Sequence, residues 1–252
     1  MTDVLYIICP ISSIYFLYRK NVIFILNLSR NAMKKILLLP CVYLFLSAES
    51  YIPFFSSQST KESSAYKVQE IPGKIECEFY DLGGQGIAYF DQDSINNGSG
   101  KLNPVNGNPL NEFRINEGVD ISYTKPDNID VTPYSKVPVK LEQFYVGWTQ
   151  PAEWINYTVQ VKKTGKYKIG LLYTANGDGA ISFDVNGKDA TGKMKITSTH
   201  DDKDPVAWRQ WHHWNSQDNI GSITLEKGKQ LLTLHIVENG NMNLDYITFT
   251  PY

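Results

Sequence analysis

Two acids, Glu76 and Glu78, stand two residues apart in a run of strand character, Ile75-Glu76-Cys77-Glu78-Phe79. Alternate residues of a strand share a face, so the two carboxylates point the same way and repel unless a cation lies between them. A hard divalent ion suits such oxygen donors, and calcium best tolerates irregular geometry. Asp245 joins the pair if the fold brings the two ends of the module together. The alternative is two solvated surface acids. The tryptophans are the second feature. In Trp208-Arg209-Gln210-Trp211 the indoles are three apart, so in a strand they face opposite sides. On that reading Trp211 enters the core, as does Trp154, and Trp208, which follows the polar lead-in of residues 200–205, is displayed. Trp148, after Gly147 and before the turn Thr149-Gln150-Pro151, is placed similarly. Displayed tryptophans mark interfaces. Two indole faces at a cleft would stack on the flat face of a sugar ring while an amide such as Asn243 reaches its hydroxyls.

Other chemistries find less support. His212-His213 are strand neighbours that point apart, so they do not chelate one ion together. Glycoside hydrolysis needs two carboxylates flanking a cleft with different proton affinities, which neighbouring strand positions do not provide. The chain contains no phosphate loop, zinc-protease helix or nucleophile elbow. Cys77, between apolar strand positions, reads as a small buried hydrophobe. The net charge of −2 supplies no basic field for nucleic acid or an anionic membrane.

The elements that must position these residues are strands. From Lys74 onward short alternating runs, such as Ile181-Ser182-Phe183-Asp184-Val185 and Leu232-Thr233-Leu234-His235-Ile236, are separated by Asn176-Gly177, Asn186-Gly187 and Lys227-Gly228. Period-two alternation between tight turns predicts an all-β, antiparallel β-sandwich, and a jelly roll is its common closed form at this size. Residues 91–111 and 124–142, rich in Asn, Gly and Pro, break the rhythm and are candidates for shaping a cleft.

The N-terminus reads as an address. Residues 33–50 combine Lys34 and Lys35, an apolar run too short to span a bilayer and the small residues Ala48 and Ser50, the pattern of a secretory signal peptide. Met33 reads as the true start and residues 1–32 as a mis-called N-terminal extension, the alternative being a membrane anchor. Residues 51–70 read as a polar linker, and 71–252 as the folded module. Its expected location is outside the cytoplasm: secreted, periplasmic or on the cell surface.

Taken in order, Ile75-Glu76-Cys77-Glu78-Phe79, Gly86-Ile87-Ala88-Tyr89-Phe90-Asp91, Glu117-Gly118-Val119-Asp120-Ile121, Val146-Gly147-Trp148-Thr149, Glu153-Trp154-Ile155-Asn156-Tyr157 and Asn243-Leu244-Asp245-Tyr246 resemble a family 6 carbohydrate-binding module. The resemblance implies a β-jelly roll with a structural calcium, usually appended to secreted enzymes that degrade plant, algal or fungal polysaccharide. It implies Glu76, Glu78 and Asp245 as calcium ligands, and Trp148, Trp208 and Asn243 as the polysaccharide-binding groups, with Glu153 near the same rim. It implies a non-catalytic binder, with secreted glycoside hydrolases as partners. The segment 124–142 is longer than the simple family pattern and is expected to narrow or block part of the cleft. The competing readings are a small jelly-roll hydrolase, or the remnant of a larger one, and a surface adhesion or scaffold protein.

Overall fold

The structure, a computed structural model, describes residues 62–252 together with three N-terminal strands. These strands, β1 (Leu5–Ile8), β2 (Ile14–Arg19) and β3 (Val22–Asn27), form an antiparallel sheet in order β1-β2-β3 within a separate unit. The expected signal peptide, 33–50, lies outside the described residues. Among them no helix is long and apolar enough to cross a membrane.

The second unit is the sandwich. Its first half holds β4 (Gln69–Ile71), β5 (Gly73–Glu76), β6 (Tyr89–Phe90), β7 (Ser99–Gly100), β8 (Asn103–Pro104), the short helix α1 (Pro109–Glu112), β9 (Ile121–Tyr123) and β10 (Phe144–Val146). Then follow β11 (Trp154–Val161), β12 (Gly165–Ala175), β13 (Gly179–Val185), β14 (Lys188–Asp189), β15 (Met194–Ile196), β16 (Asn215–Leu225), β17 (Gly228–Glu238) and β18 (Met242–Pro251). One sheet runs β16-β12-β18-β10-β9, with β5 also on β18. The other runs β14-β13-β17-β11-β4, with β15 on β13 and β6 on β11. Apart from the parallel β4–β11 pair, both sheets are antiparallel. The fold is the β-sandwich jelly roll that the alternation predicts.

The reason is visible residue by residue. In β17, Leu232, Leu234 and Ile236 are buried, whereas Leu231, Thr233 and His235 face outward and are partly exposed. Ile181 and Phe183 of β13 meet them from the neighbouring strand, and Phe183 packs edge-on against Phe249 of β18 at 5.7 Å between centroids. Each such fully buried side chain contributes roughly 1.5–3 kcal/mol relative to exposure. A one-residue slip would turn that whole set to solvent, so register is firmly specified.

Two expectations are corrected here. The module does not begin at Ile71. Ser64 bridges Leu82, Ser63 Oγ donates to Asp81 Oδ2 at 3.0 Å, and Tyr66 stacks on Phe79 at 5.8 Å, so part of the 51–70 segment belongs to the sandwich. Trp154 is not in the core either: it stands half-buried on the outer side of β11, opposite His235.

The irregular segments are pinned. Asn96 Oδ1 accepts from the backbone N–H groups of Gly98, Ser99 and Ile121, which fastens the 91–111 segment to β9. The 124–142 segment is closed at its base by Thr124 and Glu142 and tied at its middle by the buried Asp130.

Candidate functional site

Strand β10 ends at Val146, and the chain then turns through Gly147 and Trp148, the latter in the left-handed region at φ 47°. Gly147 is required there, because a Cβ would lie 2.8 Å from Asn243 Oδ1 and 3.3 Å from the Tyr145 ring. Asn243, at the start of β18, is only 2 % exposed. Its amide nitrogen donates to Thr174 Oγ1 and to His212 Nδ1, both at 2.9 Å, which leaves Oδ1 as its remaining polar atom. His212 in turn donates from Nε2 to Asp130 Oδ1 at 2.6 Å, and Trp214 Nε1 donates to the same oxygen at 2.7 Å. Buried polar groups linked in this way hold one geometry, since each lost partner would cost about 1–3 kcal/mol.

Trp208 rides on a single 3-10 turn, Ala207–Arg209, and is 57 % exposed. The turn is anchored by Arg209, whose Nε and Nη2 donate to the buried Asp204 carboxylate at 2.6 and 2.8 Å. His213 Nε2 bonds the same carboxylate at 2.9 Å. The Arg209 guanidinium holds the Asp204 carboxyl well below the usual carboxylate range, with His213 assisting. Arg209 also donates to the carbonyl of Asn128, so the turn and the 124–142 segment brace each other.

Together these elements enclose a pocket of about 390 Å³. Trp148, Trp208 and Asn243 all line it, as do Trp211, Tyr145 and His212, while Leu102, Lys125 and Ile129 complete the wall. Trp211 is therefore not the core residue expected. Strand alternation does not govern it, because the 208–211 segment is a turn, and both indoles face the pocket. The fully buried indole is Trp214, packed against Tyr145 at 5.3 Å. The 124–142 segment does not fill the pocket but supplies one wall through Lys125 and Ile129.

Glu153 is not among the lining residues. It is buried, and its two oxygens accept from the backbone N–H groups of Gln92 and Gln150, at 3.3 and 2.7 Å, clipping two loops together. Burial pushes its carboxyl up to about 7. Asp91 and Asp120 nearby are used alike, accepting from the backbone of Asp93 and Asn97, and burial raises them to about 7 and about 6.

The acids of the opening strand lie elsewhere. Strand β5 pairs with β18, placing Glu76 opposite Tyr246, and Cys77 N donates to Asp245 O at 2.9 Å. Glu78 and Asp245 are 3 % and 1 % exposed. Glu76 Oε2, Glu78 Oε2 and Asp245 Oδ2 are all buried without a hydrogen-bond partner. Burial, with Glu76 adding to it, raises Glu78 to about 9 and Asp245 to about 8. Lys74 pairs with Glu76 at 2.8 Å, and Gln143 donates to Asp245 Oδ1. Three orphaned carboxylate oxygens around one strand pair are the donor chemistry that a hard cation needs. Among the described residues, however, no three such groups close into a ready-made metal cage.

Residues 118–251 match the family Carbohydrate binding module (family 6). The chain belongs to that family. Among solved structures, the module is similar to a family 6 module from Clostridium stercorarium in complex with cellobiose. Identity there is 11 %, coverage 74 % of this chain and 98 % of that one, and the TM-score 0.43. It is similar to a β-1,3-glucan binding family 6 module from Bacillus halodurans, with 13 % identity, coverage of 73 % and 99 %, and a TM-score of 0.41. A family 43 arabinoxylan arabinofuranohydrolase from Bacillus subtilis, in complex with cellotetraose, aligns at 13 % identity and TM-score 0.43 over 74 % of this chain but 28 % of that one. No curated protein matches. Membership rests on the family match and not on these likenesses.

Tyr145, His212, Leu102, Lys125 and Ile129 line the pocket without having been among the expected binding groups. Tyr145 had a usable signal, two positions before Gly147 in a strand that ends at the pocket. The others had none, because they reach it from loops whose course no periodicity reports.

Proposed function

We propose that the module binds a plant, algal or fungal polysaccharide in the pocket between Trp148 and Trp208, and that it does so without catalysis. One observation carries the reading: two indoles and the Asn243 amide, far apart in sequence, line a single pocket with an exposed tryptophan at its mouth. Indole faces stack on the apolar face of a pyranose, and Asn243 Oδ1 accepts from a sugar hydroxyl. Carboxylates near Trp148 that a hydrolase would use are instead committed to backbone N–H groups, as Glu153 is.

One or two stacked rings with few hydrogen bonds correspond to millimolar to micromolar affinity, about −4 to −8 kcal/mol. Such binding suits a repetitive polymer, where rebinding and linkage to other modules raise the local concentration. Glu76, Glu78 and Asp245 would hold a structural calcium, which neutralises their crowded charge and ties the start of the module, at β5, to its last strand, β18. With residues 33–50 as a secretory signal, the module works outside the cytoplasm beside secreted glycoside hydrolases. The test is native electrophoresis through gels containing single polysaccharides. Wild type should be retarded on at least one, and Trp208→Ala should run unretarded at an unchanged melting temperature. Equal mobility of the two across a broad glycan panel would remove the proposal.

A further inference from the structure

The pocket has one charged wall residue, and it is a cation. Lys125 comes from the 124–142 segment, and its ammonium nitrogen donates to Asn103 Oδ1 at 2.5 Å. It also lies 4.7 Å from the Tyr123 ring centroid. Asn103 is itself buried and fixed by Ser122 Oγ, at 3.2 Å. Among the described residues Lys125 forms no ion pair. The nearest acid in play is Asp130, whose oxygens are spent on His212, Trp214 and the Lys125 backbone N–H and which does not line the pocket. Burial holds the Lys125 ammonium below its usual range, with Asp130 opposing. The ammonium touches only a neutral amide and an aromatic ring, and Asp130 acts on it without forming an ion pair, so it has little of the counter-charge that normally offsets desolvation.

A neighbouring cavity that shares Trp148 has the opposite charge. This second cavity, of about 420 Å³, is lined by Asp93 and Asp120 together with the amides of Asn97, Gln150, Asn239 and Asn241. A glycan chain long enough to occupy both cavities would therefore meet a cation in one and carboxylates in the other.

Building on the binding reading above, we infer that the pocket selects an anionic sugar residue, whose carboxylate or sulfate group pairs with Lys125, carried on an otherwise neutral glycan. A charge-assisted N–H···O bond at a partly desolvated site is about twice as strong as a neutral one, so the acidic residue is favoured by about tenfold. The carboxylates of the second cavity disfavour a continuous polyanion, which restricts the ligand to isolated acidic residues or branches. Carboxylate and sulfate offer the same chemistry to an ammonium, and the test separates them.

Isothermal titration in low salt would compare two matched pairs: a uronate-substituted xylan with its carboxyl-reduced form, and a sulfated galactan with its desulfated form. In one pair the acidic member should bind about tenfold more tightly, and which pair it is identifies the anion. The difference should shrink in high salt. Lys125→Met should bring the ratio to about one, whereas Lys125→Arg should keep it. Equal affinity within both wild-type pairs overturns the selectivity while leaving the site itself intact, and that comparison does not depend on any variant folding. A wild type that binds none of the four polymers, and no neutral glycan in a broad panel, overturns both readings together.

Discussion

Raising the pH in the presence of a chelator should melt the module at progressively lower temperature, and calcium should abolish the part of that slope that Glu78 and Asp245 carry, leaving the part due to Glu153, Asp91 and Asp120. Glu78 and Asp245 carry their protons up to about 9 and about 8 in the folded state, against ordinary values of 4.5 and 3.8, chiefly because burial penalises their charged forms. Both folded values lie above the unfolded ones, so the folded state binds more protons and stability falls as pH rises. The window opens near the unfolded values and closes near the folded ones. Each extra bound proton contributes a slope of about 1.4 kcal/mol per pH unit. Between pH 5.5 and 7.5 a single held proton thus changes stability by roughly 3 kcal/mol, or about 6–12 °C in melting temperature for a unit of this size. A bound divalent cation replaces those protons as the partner of Glu76 Oε2, Glu78 Oε2 and Asp245 Oδ2, so the slope flattens most where the acids would otherwise ionise unpaired. The assay is differential scanning fluorimetry across this range, with chelator and with millimolar calcium, on wild type and on Glu78→Gln, which should lose part of the chelator-dependent slope. Superimposable curves with and without calcium at every pH would refute the reasoning.

Other outcomes are expected from the same geometry. Trp208→Ala should lower glycan affinity more than tenfold at an unchanged melting temperature, since its ring is mostly solvent-facing, and the affinity gel reads both proteins side by side. Arg209→Ala leaves the buried Asp204 carboxylate with only His213 and the Val206 backbone N–H as partners and should cost about 3 kcal/mol in urea denaturation; an unchanged midpoint would show that the pair does not hold the Trp208 turn. Gly147→Ala places a Cβ 2.8 Å from Asn243 Oδ1 and should weaken retention about tenfold through the displaced amide. Retention equal to wild type would remove Asn243 from the binding account. Lys125→Met should erase any preference between an acidic glycan and its neutralised form.

Much of the sandwich was legible beforehand because alternation is a local property. Leu232, Leu234 and Ile236 announce a buried face within five residues, and the partners they meet do not alter which face it is. The pairing of β5 with β18 meets the condition set for Asp245, because it brings the two ends of the module together and sets Glu76 opposite Tyr246. Trp211 and Trp154 were misjudged for opposite reasons. Trp211 was read as a strand residue in a segment that is a turn, and Trp154 was read as core although it stands on the outer side of its strand. Tyr66 was missed because a segment without periodicity can still pack by a single ring on Phe79.

What the amino-acid sequence determined by itself was the element type, the turns between strands and the inventory of groups available for binding: indoles, an amide and three acids. Only the tertiary structure decided which of them meet. His212 and Asp130 are 82 residues apart and hydrogen-bonded, and their contact sets the Asn243 amide at the pocket floor. Lys125 acquires its meaning in the same way, from neighbours that strand β9, two loops and the 208–211 turn bring to it. Alternation and turn chemistry act over a few residues, whereas a pocket is made by side chains whose proximity depends on how distant strands stack, and that is a property of the packed molecule.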